Sequence, residues 1–192
     1  MDETELARQM KSGNLEAFEA LMDEYRPKAL RAAYLISGNF ADSEDIVQET
    51  FVDCYINRKK LKNPGAFMSW FYKILSRNAW RICRRAKREQ PSEEVIQEEK
   101  KTQDGISDDG ILNHVVLKEE ETALFEAVRK LPVKQRTVII LYYYNEMSVK
   151  EIAQVCGCME GTVKSRLYHG KEKLKIMLED HEKGGAPWTI LS

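Results

Sequence analysis

The stretch SVKEIAQVCGCMEGTVKSRLYHGKEKL, residues 148–174, decides how the rest of the chain is read. Ser148 is followed three residues later by Glu151. That is the spacing of a capping box, in which a hydroxyl accepts from one amide at a helix start and a carboxylate reaches back to another. Ile152, Ala153 and Val155 give the short helix that follows an apolar side. Gly157 stands where a left-handed residue would end that helix, and a second helix starts around Glu160 or Thr162. Two short helices joined by a tight glycine turn make a helix-turn-helix, whose second helix enters the major groove of DNA. In that second helix Val163, Leu167, Gly170 and Leu174 recur every three or four residues and face the core. Lys164, Ser165, Tyr168 and Lys171 then lie on other faces, where they can reach bases and phosphates. A solvated helix on a bundle would share this periodicity. The capping box, the glycine turn and the basic helix together favour DNA.

Outward from this unit, nearly every periodic stretch reads as helix and none alternates like an exposed strand, so the fold class is all-α. Upstream, Leu124, Phe125 and Val128 lead into Leu131 and Pro132, where one helix ends and the proline can open another. Near the amino terminus Leu15, Phe18, Leu21, Met22 and Tyr25 form an apolar face behind Asn14, a candidate N-cap. Pro27 interrupts or restarts that helix, and Gly38 and Asn39 stop its continuation. Another helix starts near Asp42 or Ser43 and runs to about Ile56, and a KNPGA loop at residues 62–66 precedes a long helix over residues 67–88.

The 192 residues carry 30 Lys and Arg against 31 Asp and Glu, a formal net charge of -1. A nucleic-acid binder with so little net charge must segregate it along the chain. Arg77, Arg81, Arg84, Arg85, Lys87 and Arg88 meet no acid, whereas the following segment to Glu121 is dominated by Asp and Glu. That acidic segment holds Pro91, Gly105 and Gly110 and few large apolar residues, which gives it little to bury against the entropy of ordering. It reads as a flexible linker between two helical domains.

In residues 67–88 the aromatics Phe67, Trp70, Phe71, Tyr72 and Trp80 alternate with Lys73, Arg77, Arg81, Arg84 and Arg85. Such interleaving suits single-stranded DNA, whose bases stack on rings and guanidinium planes while other cations neutralise phosphate. Trp70 and Phe71 read as core; Trp80 and the arginines read as an exposed face. No catalytic pattern is present: the histidines are His114, His169 and His181, with no HExxH, phosphate-binding glycine loop or GxSxG. Cys156, Cys158 and the distant His169 fall short of a structural zinc set, so the expectation is no metal, no cofactor and no enzyme. Cys54 and Cys83, also within helical patterns, complete a set of reduced thiols. The opening MDETELARQM has no secretory apolar core and no run reaches membrane-spanning length, which together lead us to expect a cytoplasmic protein without membrane insertion.

Three segments, AFEALMDEYRPKALRAAYLISGNFADSEDIVQETFVDCY (17–55), FMSWFYKILSRN (67–78) and LPVKQRTVIILYYYNEMSVKEIAQVCGCMEGTVKSRLYHGKEKL (131–174), resemble the successive signature regions of bacterial RNA polymerase sigma factors of the sigma-70 family, extracytoplasmic function (ECF) group. The resemblance implies sigma domain 2 over residues 1–90, a linker over 91–114, sigma domain 4 over 115–183 and a tail over 184–192. It also implies three partners: core RNA polymerase, promoter DNA and an anti-sigma factor. By this resemblance Asp45, Ile46, Gln48, Glu49 and Phe51 dock on the polymerase, Ile46 and Val47 being divided between docking and core. Lys62, Asn63, Arg77, Asn78, Trp80, Arg81, Arg84 and Arg85 meet the minus-10 element, where many members carry an aspartate just after Asn78 and this chain has none. Thr162, Lys164, Ser165, Arg166, Tyr168, His169 and Lys171 meet the minus-35 element, with Lys164 and His169 standing where arginine is frequent. The tail GGAPWTILS packs on a partner, packs on the protein or remains free. Two other classes compete: a dimeric helix-turn-helix regulator acting without polymerase, and an enzyme with an appended DNA-binding domain. The second has no residues to carry a reaction, and the first domain lacks a ligand-pocket signature that would favour the regulator.

Overall fold

The computed structural model describes residues 2–89 and 119–182, and every regular element among them is helical. The front half holds α1 (Glu3–Ser12), α2 (Leu15–Ser37), α3 (Phe40–Asn57) and α4 (Phe67–Glu89), with short 3₁₀ turns at Arg58–Lys60 and Pro64–Ala66. The rear half holds α5 (Glu119–Lys130), α6 (Val133–Tyr143), α7 (Val149–Cys156) and α8 (Glu160–Glu182). The all-α expectation stands. The central part of the acidic segment and the tail at 184–192 lie outside the described residues.

Helix boundaries follow local chemistry. Asn14 Oδ1 accepts from the Ala17 amide at 3.1 Å and starts α2 as anticipated. The start of α3 moves three residues upstream of the expected Asp42 or Ser43, because Asn39 Oδ1 accepts from the Asp42 amide at 3.0 Å. Pro27 does not break α2. Pro27 and Asp23, the residue whose carbonyl it deprives of a donor, are both exposed, so water can take the lost bond. Helix α1 carries no long apolar stripe, yet Leu6, Ala7 and Met10 are buried, and the Tyr25 hydroxyl donates to Glu3 Oε2 at 2.6 Å. That hydrogen bond fastens α1 to α2.

The front core is built around rings. Phe67 and Phe71 are fully buried, and Tyr25 meets Phe67 edge-on at 5.2 Å and Phe71 at 4.9 Å. Phe51 and Tyr72 flank Phe71 at 6.2 and 5.4 Å. Offset and edge-on ring pairs add about 0.5–1.5 kcal/mol each to simple burial. Trp70, read as core from its position, is half-buried at the rim.

The two halves are not independent bodies. Buried residues of both belong to one continuous apolar cluster, in which α7 rests on α4 and α5 and α6 rest on α2. Tyr34 of α2 stacks on Phe125 of α5, with 5.1 Å between centroids and 13° between planes. Asn145 Nδ2 donates to the Tyr72 hydroxyl at 2.7 Å, and Arg31 lies over the Tyr144 ring at 5.3 Å. Arg129 packs so closely on Gly38, the left-handed cap of α2, that a Cβ there would stand 2.7 Å from its Nε.

Candidate nucleic-acid and partner interfaces

The rear unit is assembled by its caps. The Ser148 amide donates to Glu151 Oε2 at 2.8 Å while the Glu151 amide donates to Ser148 Oγ at 3.3 Å, so both arms of the anticipated capping box form. Gly157 adopts φ +61°, and the next amide, Cys158, donates to the Ala153 carbonyl at 3.0 Å to close α7. The turn then launches α8 at Glu160. Replacing Ser148 by alanine is expected to cost about 1 kcal/mol. Thermal melting of the full chain checks it; an unchanged midpoint would mean that the box contributes nothing.

Helix α8 has the predicted two-sided character. Val163 is fully buried, Leu167 and Leu174 are half-buried, and Gly170 lets α8 close on α6, since a Cβ there would stand 3.1 Å from Ile139 Cγ1. On the other side Lys164, Ser165, Tyr168, His169 and Lys171 are exposed. Tyr168 meets His169 edge-on at 5.3 Å. Thr162 is half-buried, as is Arg166, whose Nη1 donates to Cys158 Sγ at 3.7 Å and so leans toward the turn. Met159, 78 % exposed at the head of α8, adds an apolar side chain that polarity-based reading passed over.

The thiols here are inert. Burial, reinforced by the neighbouring Cys158, pushes Cys156 up to about 11, so it remains protonated at neutral pH. Among the described residues no group of three His, Cys, Asp or Glu is placed to hold a metal ion.

In the front unit α3 presents Asp45 and Gln48 to solvent and Glu49 at its edge. Glu49 is ion-paired with Arg81 of α4, which joins a residue expected at the polymerase to one expected at DNA. Ile46 is fully buried. Its side chain supports the helix from the core and is withheld from any partner, which corrects its assignment to docking. Phe51 is half-buried against Phe71, with the Arg26 guanidinium 5.2 Å from its ring centroid. Val52, Tyr55 and Ile56 extend the exposed side of α3 in apolar form, and Ile56 is 66 % exposed. Sequence reading missed these three because a core-facing stripe and a partner-facing stripe have the same period.

On α4 the expected minus-10 residues divide. Arg77, Arg81, Arg84 and Arg85 are exposed, and Lys62 and Asn63 stand exposed in the loop before it, where Asn63 Oδ1 accepts from the Gly65 amide at 3.1 Å. Asn78 is buried, its Nδ2 donating to Asp53 Oδ2 at 3.1 Å, a carboxylate the sequence did not single out. Trp80, read as exposed, instead points into the junction between the halves. Its Nε1 donates to Thr137 Oγ1 at 2.9 Å and Lys134 Nζ lies 5.9 Å from its ring. The reason is simple: the rear half covers it.

Comparison with known proteins agrees with this geometry. Residues 21–89 match the family Sigma-70 region 2, and residues 121–174 match Sigma-70, region 4. The ECF RNA polymerase sigma factor SigW of Bacillus subtilis (strain 168) is 34 % identical over 177 residues, covering 90 % of this chain and 95 % of the relative. An ECF RNA polymerase sigma-E factor of Haemophilus influenzae is 28 % identical over 180 residues, covering 91 % of this chain and 94 % of that one. In fold, the chain is similar to CnrH, solved in complex with the cytosolic domain of CnrY, with a TM-score of 0.68 at 24 % identity over 93 % of this chain and 97 % of that one. Among the described residues no helix is long and apolar enough to cross a membrane. With both regions matched in order and a relative above 30 % identity along nearly its whole length, the chain belongs to the sigma-70 family of bacterial RNA polymerase sigma factors, in the extracytoplasmic function group.

Proposed function

We propose that this protein binds core RNA polymerase through α3 and directs it to promoters by reading a minus-10 element with α4 and the loop before it, and a minus-35 element with α8. The family acts in transcription initiation without catalysis of its own, and this chain is not an enzyme. The observation that carries the reading is the coexistence, in one chain, of an acidic and apolar exposed face on α3, a basic exposed face on α4 and a basic exposed face on α8. An acidic helix with apolar neighbours is complementary to a basic, partly apolar partner surface. The domains follow the division into residues 1–90, 91–114, 115–183 and 184–192. CnrH was solved with CnrY, and the sigma factor RpoE of Bartonella quintana with the anti-sigma factor NepR; by analogy an anti-sigma factor controls this chain in a bacterial cytoplasm.

At the minus-35 element Lys164, near the start of α8, donates to base edges and Lys171 neutralises phosphate. Replacing Lys164 by alanine is expected to cost about 1–3 kcal/mol at one base position and to relax preference there. Binding measured on a panel of single-base substitutions in the upstream element checks this; an equal loss on every sequence would restrict Lys164 to phosphate. The dimeric-regulator alternative is separated by a pull-down. The sigma reading expects retention on immobilised core polymerase; tight binding to duplex DNA without any retention would replace it with the regulator.

A further inference from the structure

The junction between the halves has a consequence for promoter reading. Helix α7 packs on α4 and α8 packs on α7. Packed helices lie about 8–10 Å apart, which puts the two reading helices, α4 and α8, roughly 20 Å apart. The minus-10 and minus-35 elements are separated by roughly 25 base pairs, about 85 Å of duplex at 3.4 Å per pair. The closed arrangement therefore cannot reach both elements at once. Residues 90–118, between α4 and α5, can span at most roughly 100 Å when fully extended, enough for the halves to separate and reach them.

We propose that the junction is a closed resting state in which the rear domain restrains the minus-10 reading helix of the front domain, and that it opens when the chain assembles on polymerase. This inference rests on the sigma reading above. The contacts that hold the closed state are few and specific. Trp80 donates to Thr137, Asn145 donates to Tyr72, and Tyr34 stacks on Phe125. One feature of the junction opposes closure. Arg136 is 9 % exposed, and its Nε has no hydrogen-bond partner among the described residues. Burial lowers its proton affinity, partly offset by the nearby Cys83 thiol, and Arg129 adds further repulsion. Burying a cation against a thiol costs free energy that opening returns. The closed form is thus built to be left: it covers Trp80 while the exposed arginines Arg77, Arg81 and Arg84 remain on the open side of α4.

The test uses the full chain and a double variant in the rear domain, Phe125→Ala with Asn145→Ala, neither residue being assigned to DNA or polymerase. Circular dichroism first establishes that helicity is retained; Tyr34→Ala, which breaks the same stack from the front, is the second variant. Small-angle scattering should show a compact wild type and an expanded variant. Removing a closed state that dominates the population should tighten binding to core polymerase by about fivefold or more, because affinity scales with the competent fraction. An already expanded wild type overturns the inference, and so does a variant that opens without any gain in affinity. The scattering needs no polymerase. A chain that closes and opens as described yet never binds core polymerase overturns the sigma reading, and the gating role with it.

Discussion

Charge reversal at two positions of α3, Asp45→Lys with Glu49→Lys, is expected to weaken binding to bacterial core RNA polymerase by about a hundredfold, close to 2.7 kcal/mol. Asp45 is fully in solvent, and Glu49 stands at the edge of a shallow groove lined by Gln48, Glu49, Val52, Asp53 and Arg81. A basic partner surface would lose two attractions and meet two like charges, each juxtaposition costing far more at a desolvated interface than in water. The fold should hardly notice. The only pair broken is Glu49 with Arg81, both substantially exposed, and such pairs contribute about 0–1 kcal/mol. Titration of the variant against core polymerase at fixed salt checks the expectation, since screening would mask it at high ionic strength. Unchanged affinity would remove α3 from the docking surface.

The second large effect concerns stability. Phe71→Ala should destabilise the front domain by about 3–5 kcal/mol, because it removes a fully buried ring and leaves a cavity. The ring touches Tyr25, Phe51, Phe67 and Tyr72, so collapse around the void would have to move four other aromatic side chains at once. That makes relaxation poor and puts the cost toward the upper end. Phe71→Leu keeps most of the volume and should lose only about 1–2 kcal/mol. Urea unfolding followed by circular dichroism gives both values; a Phe71→Ala variant as stable as wild type would place the core elsewhere.

Much of this architecture was legible in the sequence because its signals are local. The capping box at Ser148 and Glu151, the left-handed Gly157 and the Val163, Leu167, Gly170, Leu174 stripe each depend on residues within one or two turns. Helix α1 was not legible, since its buried set is short and its attachment is a hydrogen bond between Tyr25 and Glu3, 22 positions apart. Pro27 misled for the opposite reason: a local rule against proline was overridden by solvent on that side of α2 and by packing on the other.

The functional surfaces show the same division. The basic side of α8 lies where its periodicity put it. Trp80 does not, because its burial comes from Thr137 and Lys134, 57 and 54 positions downstream, beyond any helical period. Ile46 was assigned to a partner and belongs to the core, while Val52, Tyr55 and Ile56 had the reverse fate. Periodicity identifies a stripe without saying which side of the helix meets protein. The Asp53 carboxylate, held by Asn78, was equally invisible because an acid on a helix normally reads as solvated surface.

Reconstituted transcription on fragmented bacterial DNA, with core polymerase alone and with core polymerase plus this chain, is the most direct measurement. The account predicts transcripts that appear only with the chain and whose start sites share one upstream pair of elements at fixed spacing. Start sites identical with and without the chain, or sharing a single operator-like sequence at variable distance, would contradict it.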